Sequence, residues 1–216
     1  MSLHRVPFHT DAVQAAGKVP LSFREVDADL LSLSAHKLGG PPGVGALIVR
    51  GGLPLQPLTP GHQEGGRRGG TPNLPYIEAL ALALELALAE QPAHAARVGR
   101  LRDAFEQQVL ASLPGVRVNG GGAPRVPNTS NLLFEGADGE ALLIALDLGG
   151  ISASAGAACA SGSLSASHVL RAQGLSEAQA RASLRFSLGP EATDDEVAQV
   201  VRALCTHVPA ARAAAA

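Results

Sequence analysis

The sequence predicts an α/β fold in its first third, followed by a smaller α+β arrangement. Two observations carry this. Short apolar runs that read as strands alternate with Ala- and Leu-rich stretches that read as helices. The run at 29–35 (DLLSLSA) is apolar with interspersed Ser, which suits a buried parallel strand. Length agrees, because 216 residues make one domain, or two small ones, at roughly 100–200 residues each. The boundary is placed near Pro92, giving domains 1–92 and 93–216.

Each element has a local reason. Residues 6–8 (VPF) lead into His9, Thr10 and Asp11, a strand-like run that ends in polar groups. After the strand at 29–35, the stretch GGPPG at 39–43 forbids regular structure, and VGALIV at 44–49 reads as another strand. Residues 53–71 form a Gly/Pro-rich loop carrying His62, Gln63, Glu64, Arg67 and Arg68. Ala and Leu favour a helix over 73–90, ended by Pro92, and a second over 93–113. Strands are expected at 116–118 and 130–134, then a helix over 140–148 stopped by Gly149 and Gly150. Residues 151–163 form a small-residue loop around Cys159. Ser167 and Ser176 sit at N-cap positions of two short helices, 184–188 is a strand, and TDDE at 193–196 opens a last helix with a capping box. The Ala-rich end is expected to fray.

Composition excludes several classes of function. A net charge of −2 with 3% aromatic residues offers neither a basic footprint nor stacking platforms for nucleic acid. Two cysteines make no disulfide framework and fit a reducing compartment. The start lacks a signal-peptide pattern, and the apolar stretch at 79–89 is broken by Glu85 and too short to span a bilayer. A cytoplasmic chain with no membrane contact is expected.

Chemistry concentrates at few positions. Lys18 and Lys37 are the only lysines among 17 basic residues, so a reaction needing an amine has two side-chain candidates. Lys37 follows the buried strand, at the carboxyl end where α/β sheets place ligands. Its amine, ordinarily titrating at about 10.4, must be uncharged to attack a carbonyl, or it is simply a solvated cap on the strand. Ser34 and His36 beside it could bind an anion. Asp11 could hold a protonated ring nitrogen and Gln14 a nearby oxygen, or Asp11 could cap a helix beginning near Ala12. His9 with Asp11 gives only two of the ligands a metal needs. GGPPGVG at 39–45 lacks the Gly-Lys-Ser/Thr ending of a phosphate loop and precedes a strand, so a nucleotide site is rejected.

Cys159 lies among small residues that leave a thiol open, although at an ordinary pKa of about 8.5 only about 3% is thiolate at pH 7. Cys205 reads as a small core residue on the last helix. Arg185, inside a strand, calls for a bidentate carboxylate or a structural Asp or Glu. Arg67, Arg68 and Thr71 could receive a phosphate or form a turn.

In order, HTDAVQAAGK at 9–18, SAHK at 34–37 and GGTPN at 69–73 closely resemble the cysteine desulfurases. These are fold-type I enzymes of the class V aminotransferase family that use pyridoxal 5′-phosphate (PLP). Cys159 in its loop and SLRFSLG at 183–189 complete the likeness, which runs from Val6 to Val208. It implies a partial large PLP-dependent transferase domain, part of a mixed, mostly parallel sheet, followed by a small α+β domain with the Cys-bearing loop. Lys37 would tether the cofactor and move the substrate's Cα proton, and Asp11 would pair with the pyridinium nitrogen. Gln14 would lie near the phenolic oxygen, while Ser34 and His36 hold the phosphate and Thr71 serves the partner subunit's phosphate site. Arg185 would bind the substrate carboxylate, and Cys159 would take sulfur from L-cysteine as a persulfide, leaving alanine. Lys18 would be structural. The implied enzyme is a homodimer that passes sulfur to acceptor proteins for iron–sulfur cluster assembly or tRNA thiolation.

The sequence departs from the family in two places. Ala155 and Ala157 stand where Ser is frequent. The family's stretch before the Asp11 strand, with its other phosphate loop, a ring-stacking His and an Asn, has no counterpart, so the sequence reads as a back half. Alone, this chain is expected to bind PLP poorly. The alternatives are a non-catalytic remnant keeping fold and partner surfaces, and a related lyase acting on selenocysteine or cysteine sulfinate.

Overall fold

The computed structural model describes residues 6–155 and 166–215, which form two compact units, Met1–His94 and Ala95–Ala216. Among these residues no helix is long and apolar enough to cross a membrane.

The first unit holds a three-stranded sheet, β1 (His9–Asp11), β2 (Leu30–Ser34) and β3 (Gly45–Val49) in that order. β1 runs parallel to β2, with Asp11 opposite Ser32, whereas β3 is antiparallel to β2, so the sheet is mixed. β2 alternates buried Leu31 and Leu33 with half-buried neighbours, the period of two expected of a strand with one covered face. Ala12, Ala16, Leu31 and Leu33 form this unit's small core. Asp29, 4% exposed, ties the strand ends opposite the Asp11 end. Its carboxylate accepts the Phe8 N–H and pairs with Arg50 at 2.7 Å. Apolar side chains remain open on β3 and on the following helix: Leu47 is 51% and Leu86 53% exposed.

The loop after β3 contains one short turn, α1 (Gln63–Gly66), in which Glu64 and Gly65 take positive φ. Beyond it α2 (Leu74–Ser112) runs as a single helix with Pro92 inside, where the sequence led us to expect a break. Pro92 removes one N–H and crowds the carbonyl of Leu88, at a cost of about 3 kcal/mol. Splitting the helix would instead strand further N–H and C=O groups at two new ends. Leu88 and Pro92 are both exposed, so water can reach the freed carbonyl.

The second unit carries an antiparallel sheet in the order β4 (Val116–Val118), β5 (Thr129–Phe134), β7 (Ser183–Ser187), β6 (Ser154–Ala155). Leu132, Phe134, Leu184 and Phe186 of its central strands pack into one core with residues of α2, α3 (Gly139–Leu148) and α6 (Asp194–Ala214). Ser167 and Ser176 cap α4 (His168–Ala172) and α5 (Glu177–Arg181), and Thr193 with Glu196 forms the capping box of α6. α6 continues through the Ala-rich end to Ala214, with Ala211 buried. Cys205, expected in the core, is exposed. The buried stripe is Val197, Val201, Leu204, Val208 and Ala211, and one residue past Leu204 turns the side chain about 100° away.

Glu106 on α2 is buried and grips Arg125 with two bonds, 2.7 and 3.1 Å. Arg125→Ala should therefore destabilise this unit by about 3 kcal/mol, the low end for a buried pair losing one partner. Urea unfolding checks this, and Glu106→Gln/Arg125→Met should recover part of the loss.

Candidate cofactor and substrate site

The parallel pairing of β1 with β2 brings most of the expected groups to one end of the sheet. Asp11 ends β1, and the chain continues into hydrogen-bonded turns rather than the helix considered near Ala12. Ala16 N–H donates to the Ala12 carbonyl at 2.9 Å and Lys18 N–H to that of Ala15 at 3.0 Å. Ala12 and Ala16 are buried and leave Asp11 and Gln14 on the outer side. An Asp11 carboxylate oxygen accepts the Val13 N–H at 3.1 Å, which fixes its direction. Gln14 Oε1 accepts from Lys18 Nζ at 3.2 Å.

Beyond β2, Ala35–Lys37 forms one 3-10 turn. Leu38 and Gly40 N–H both donate to the Ala35 carbonyl, at 2.8 and 2.9 Å, and Ala35 itself is wholly buried. A Cβ on Gly40 would stand 3.1 Å from those of Ala35 and Ala83, so glycine lets α2 close on this turn without displacing either neighbour. Lys37 is thereby presented outward from a tightly held backbone. Ser34 Oγ and His36 Nδ1 are hydrogen-bonded at 2.8 Å. Whichever of the two donates, the pair retains one further donor, the imidazole Nε2–H or the serine O–H, for an anion.

Lys18 is half-buried, and its pKa is lowered, first by that burial and second by the charge of Lys37. The two amines are thus electrostatic neighbours. His9 Nε2 is paired with Ser32 Oγ at 2.8 Å, and the described residues contain no cluster of three metal-ligating side chains.

Thr71 is exposed after a loop closed by Gly69 N–H to the Thr59 carbonyl and Gly70 N–H to Gln63 Oε1. Arg68 donates to the Gly70 carbonyl at 3.3 Å, so it takes part in that turn.

In the second unit, Arg185 lies on β7 opposite Asn131 of β5 and Ser154 of β6. Its Nη2 donates to Ser154 Oγ at 3.2 Å, while its buried Nε has no hydrogen-bond partner among the described residues. The structural Asp or Glu considered for it is not found there. A buried guanidinium N–H without a partner costs roughly 1–3 kcal/mol or more, which a carboxylate ligand would offset. Ser154 was not singled out from the sequence, since a lone Ser before a small-residue loop carries no signal of its own. Cys159 lies outside the described residues.

The chain matches the aminotransferase class-V family over residues 2–200. It is 49% identical over 195 residues to a cysteine desulfurase of Gluconacetobacter diazotrophicus, covering 90% of this chain and 49% of that protein. The cysteine desulfurase NifS of Azotobacter vinelandii is 46% identical over 198 residues, 91% of this chain and 49% of that protein. Among solved structures, a NifS-like protein from Rickettsia africae superposes with a TM-score of 0.84 at 29% identity, covering 94% of this chain and 54% of that one. The chain spans about half the length of the curated relatives it matches. With Lys37 and the Ser34–His36 pair following β2 at the sheet end where Asp11 closes the parallel β1, these likenesses lead to one conclusion: the chain belongs to the class-V aminotransferase family.

Proposed function

We propose that this chain supplies the lysine, acid and thiol of a PLP-dependent cysteine desulfurase. The observation that carries the reading is the parallel β1–β2 pair, which delivers Asp11, Ser34, His36 and Lys37 to one end of one sheet. The donor set fits the cofactor: an amine for its aldehyde, a carboxylate for a ring N–H, and a Ser–His pair for its phosphate. Gln14 meets the ring's phenolic oxygen, and Thr71 serves the phosphate site across a homodimer. When bound, PLP withdraws electrons from the substrate's Cα.

The protein's own groups do the rest. Arg185 orients the substrate through its carboxylate, using the N–H that has no partner among the described residues. Lys37 takes the Cα proton and later returns one to the carbon skeleton. The Cys159 thiolate forms an S–S bond to the substrate sulfur while the Cβ–S bond breaks. That electron pair stays with carbon, which is protonated and leaves as alanine, and the persulfide passes to acceptor proteins for iron–sulfur cluster assembly or tRNA thiolation. Residues 1–92 act as part of the cofactor domain and 93–216 as the small domain that carries Cys159, in a cytoplasmic homodimer. The open apolar side chains on β3 and α2 support protein contacts there.

The test is chemical. Borohydride trapping of the complete gene product loaded with PLP, followed by peptide mass spectrometry, should place the label on Lys37. A label on Lys18, or none, overturns the proposal.

A further inference from the structure

We infer that Lys18 is a positioning residue: its ammonium holds the Gln14 carboxamide oxygen, so that Gln14 offers its N–H₂ end to the cofactor's phenolic oxygen. This rests on the reading of Gln14 given above. An ammonium only donates, so its contact at 3.2 Å identifies the Gln14 atom it meets as the oxygen. The amide nitrogen then faces the other way, and an anionic phenolic oxygen needs just such a donor.

The lysine is itself held. Gly17 has φ +69°, and a Cβ there would lie 2.9 Å from that of Ala87, so the turn bearing Lys18 closes directly on α2. Gln91 Nε2 donates to the Lys18 carbonyl at 3.3 Å from the same helix. The charged group acting on Lys18 is Lys37. Half-burial beside a second cation is a poor place for an ammonium kept only for stability. A lysine pKa lowered by folding favours the neutral form. Its stabilising contribution is complete only above the unfolded pKa and is lost as pH falls, so at neutral pH the charge is a cost.

The experiment uses the complete gene product loaded with PLP and follows its lysine-linked visible band against pH. A donor on the phenolic oxygen favours the form in which that oxygen carries uncompensated charge. Losing it should move the band's pH midpoint upward by about one unit, equivalent to one hydrogen bond. We expect this shift in Lys18→Met and Gln14→Ala alike, no further shift in the double variant, restoration in Lys18→Arg, and an unchanged or higher Tm for Lys18→Met. An unshifted midpoint in Lys18→Met, or additive shifts in the double variant, overturns the inference. If the unmodified protein shows no lysine-linked band, the cofactor reading itself fails and this inference falls with it.

Discussion

In the complete gene product loaded with PLP, Lys37→Ala should abolish the lysine-linked chromophore and lower alanine release from L-cysteine by on the order of 10⁴-fold or more, the scale seen when a covalent group is removed. The loss is chemical rather than conformational. Lys37 is exposed on a turn held by the N–H groups of Leu38 and Gly40 on the Ala35 carbonyl and by the Ser34–His36 pair, and the buried anchor is Ala35. Replacing an exposed side chain there should change unfolding free energy by less than about 0.5 kcal/mol. Lys18 cannot substitute, being engaged with Gln14 and half-buried on another turn. Absorbance after PLP loading and an alanine assay, run beside urea unfolding, check both halves. A variant that keeps the visible band would remove Lys37 from its role.

Cys159→Ala should leave that band in place yet cut alanine release by at least about 10³-fold, because no second nucleophile is expected to receive the sulfur. An ordinary thiol is only about 3% ionised at pH 7. The unmodified enzyme's rate should therefore climb with pH until the thiol is mostly ionised, and the alanine variant should lack that limb. Cys205 is no replacement, since it sits on α6, far along the sequence from Cys159 and its small-residue neighbours. Full activity on cysteine in this variant would sink the desulfurase reading. Retained turnover of selenocysteine with lost turnover of cysteine would point to the lyase alternative instead.

Much of this site was legible because its parts lie close together in sequence and are tied to strand ends. SAHK falls at the end of β2 and HTD is β1 itself. β2 follows from an apolar run with a clear stop, β1 takes up the polar end of the expected run while the apolar residues 6–8 lie before it, and β4 lies at 116–118 as expected. The capping residues Ser167, Ser176 and Thr193 were equally readable, since a cap is decided within four residues. What escaped depended on packing or on distant partners. Whether Pro92 ends a helix is settled by the balance between one lost bond and two new ends. Cys205 was misplaced because periodicity locates a stripe more surely than its edge. β6, two residues long among the described residues, pairs there with β7 and has no local signature. The orphaned Nε of Arg185 and the Lys18–Gln14 contact are facts of side-chain direction, which composition cannot carry.

The small sheet of the first unit has two unlike poles. At one, Asp29 gathers the Phe8 N–H and the Arg50 guanidinium; at the other stand Asp11, His36 and Lys37. With the cofactor held at the second pole as proposed, selection for heat tolerance can act on the ionic knot without disturbing reactivity, and an engineer has the same freedom. On that reading, drift at the first pole would register as altered shelf life, and at the second as altered turnover.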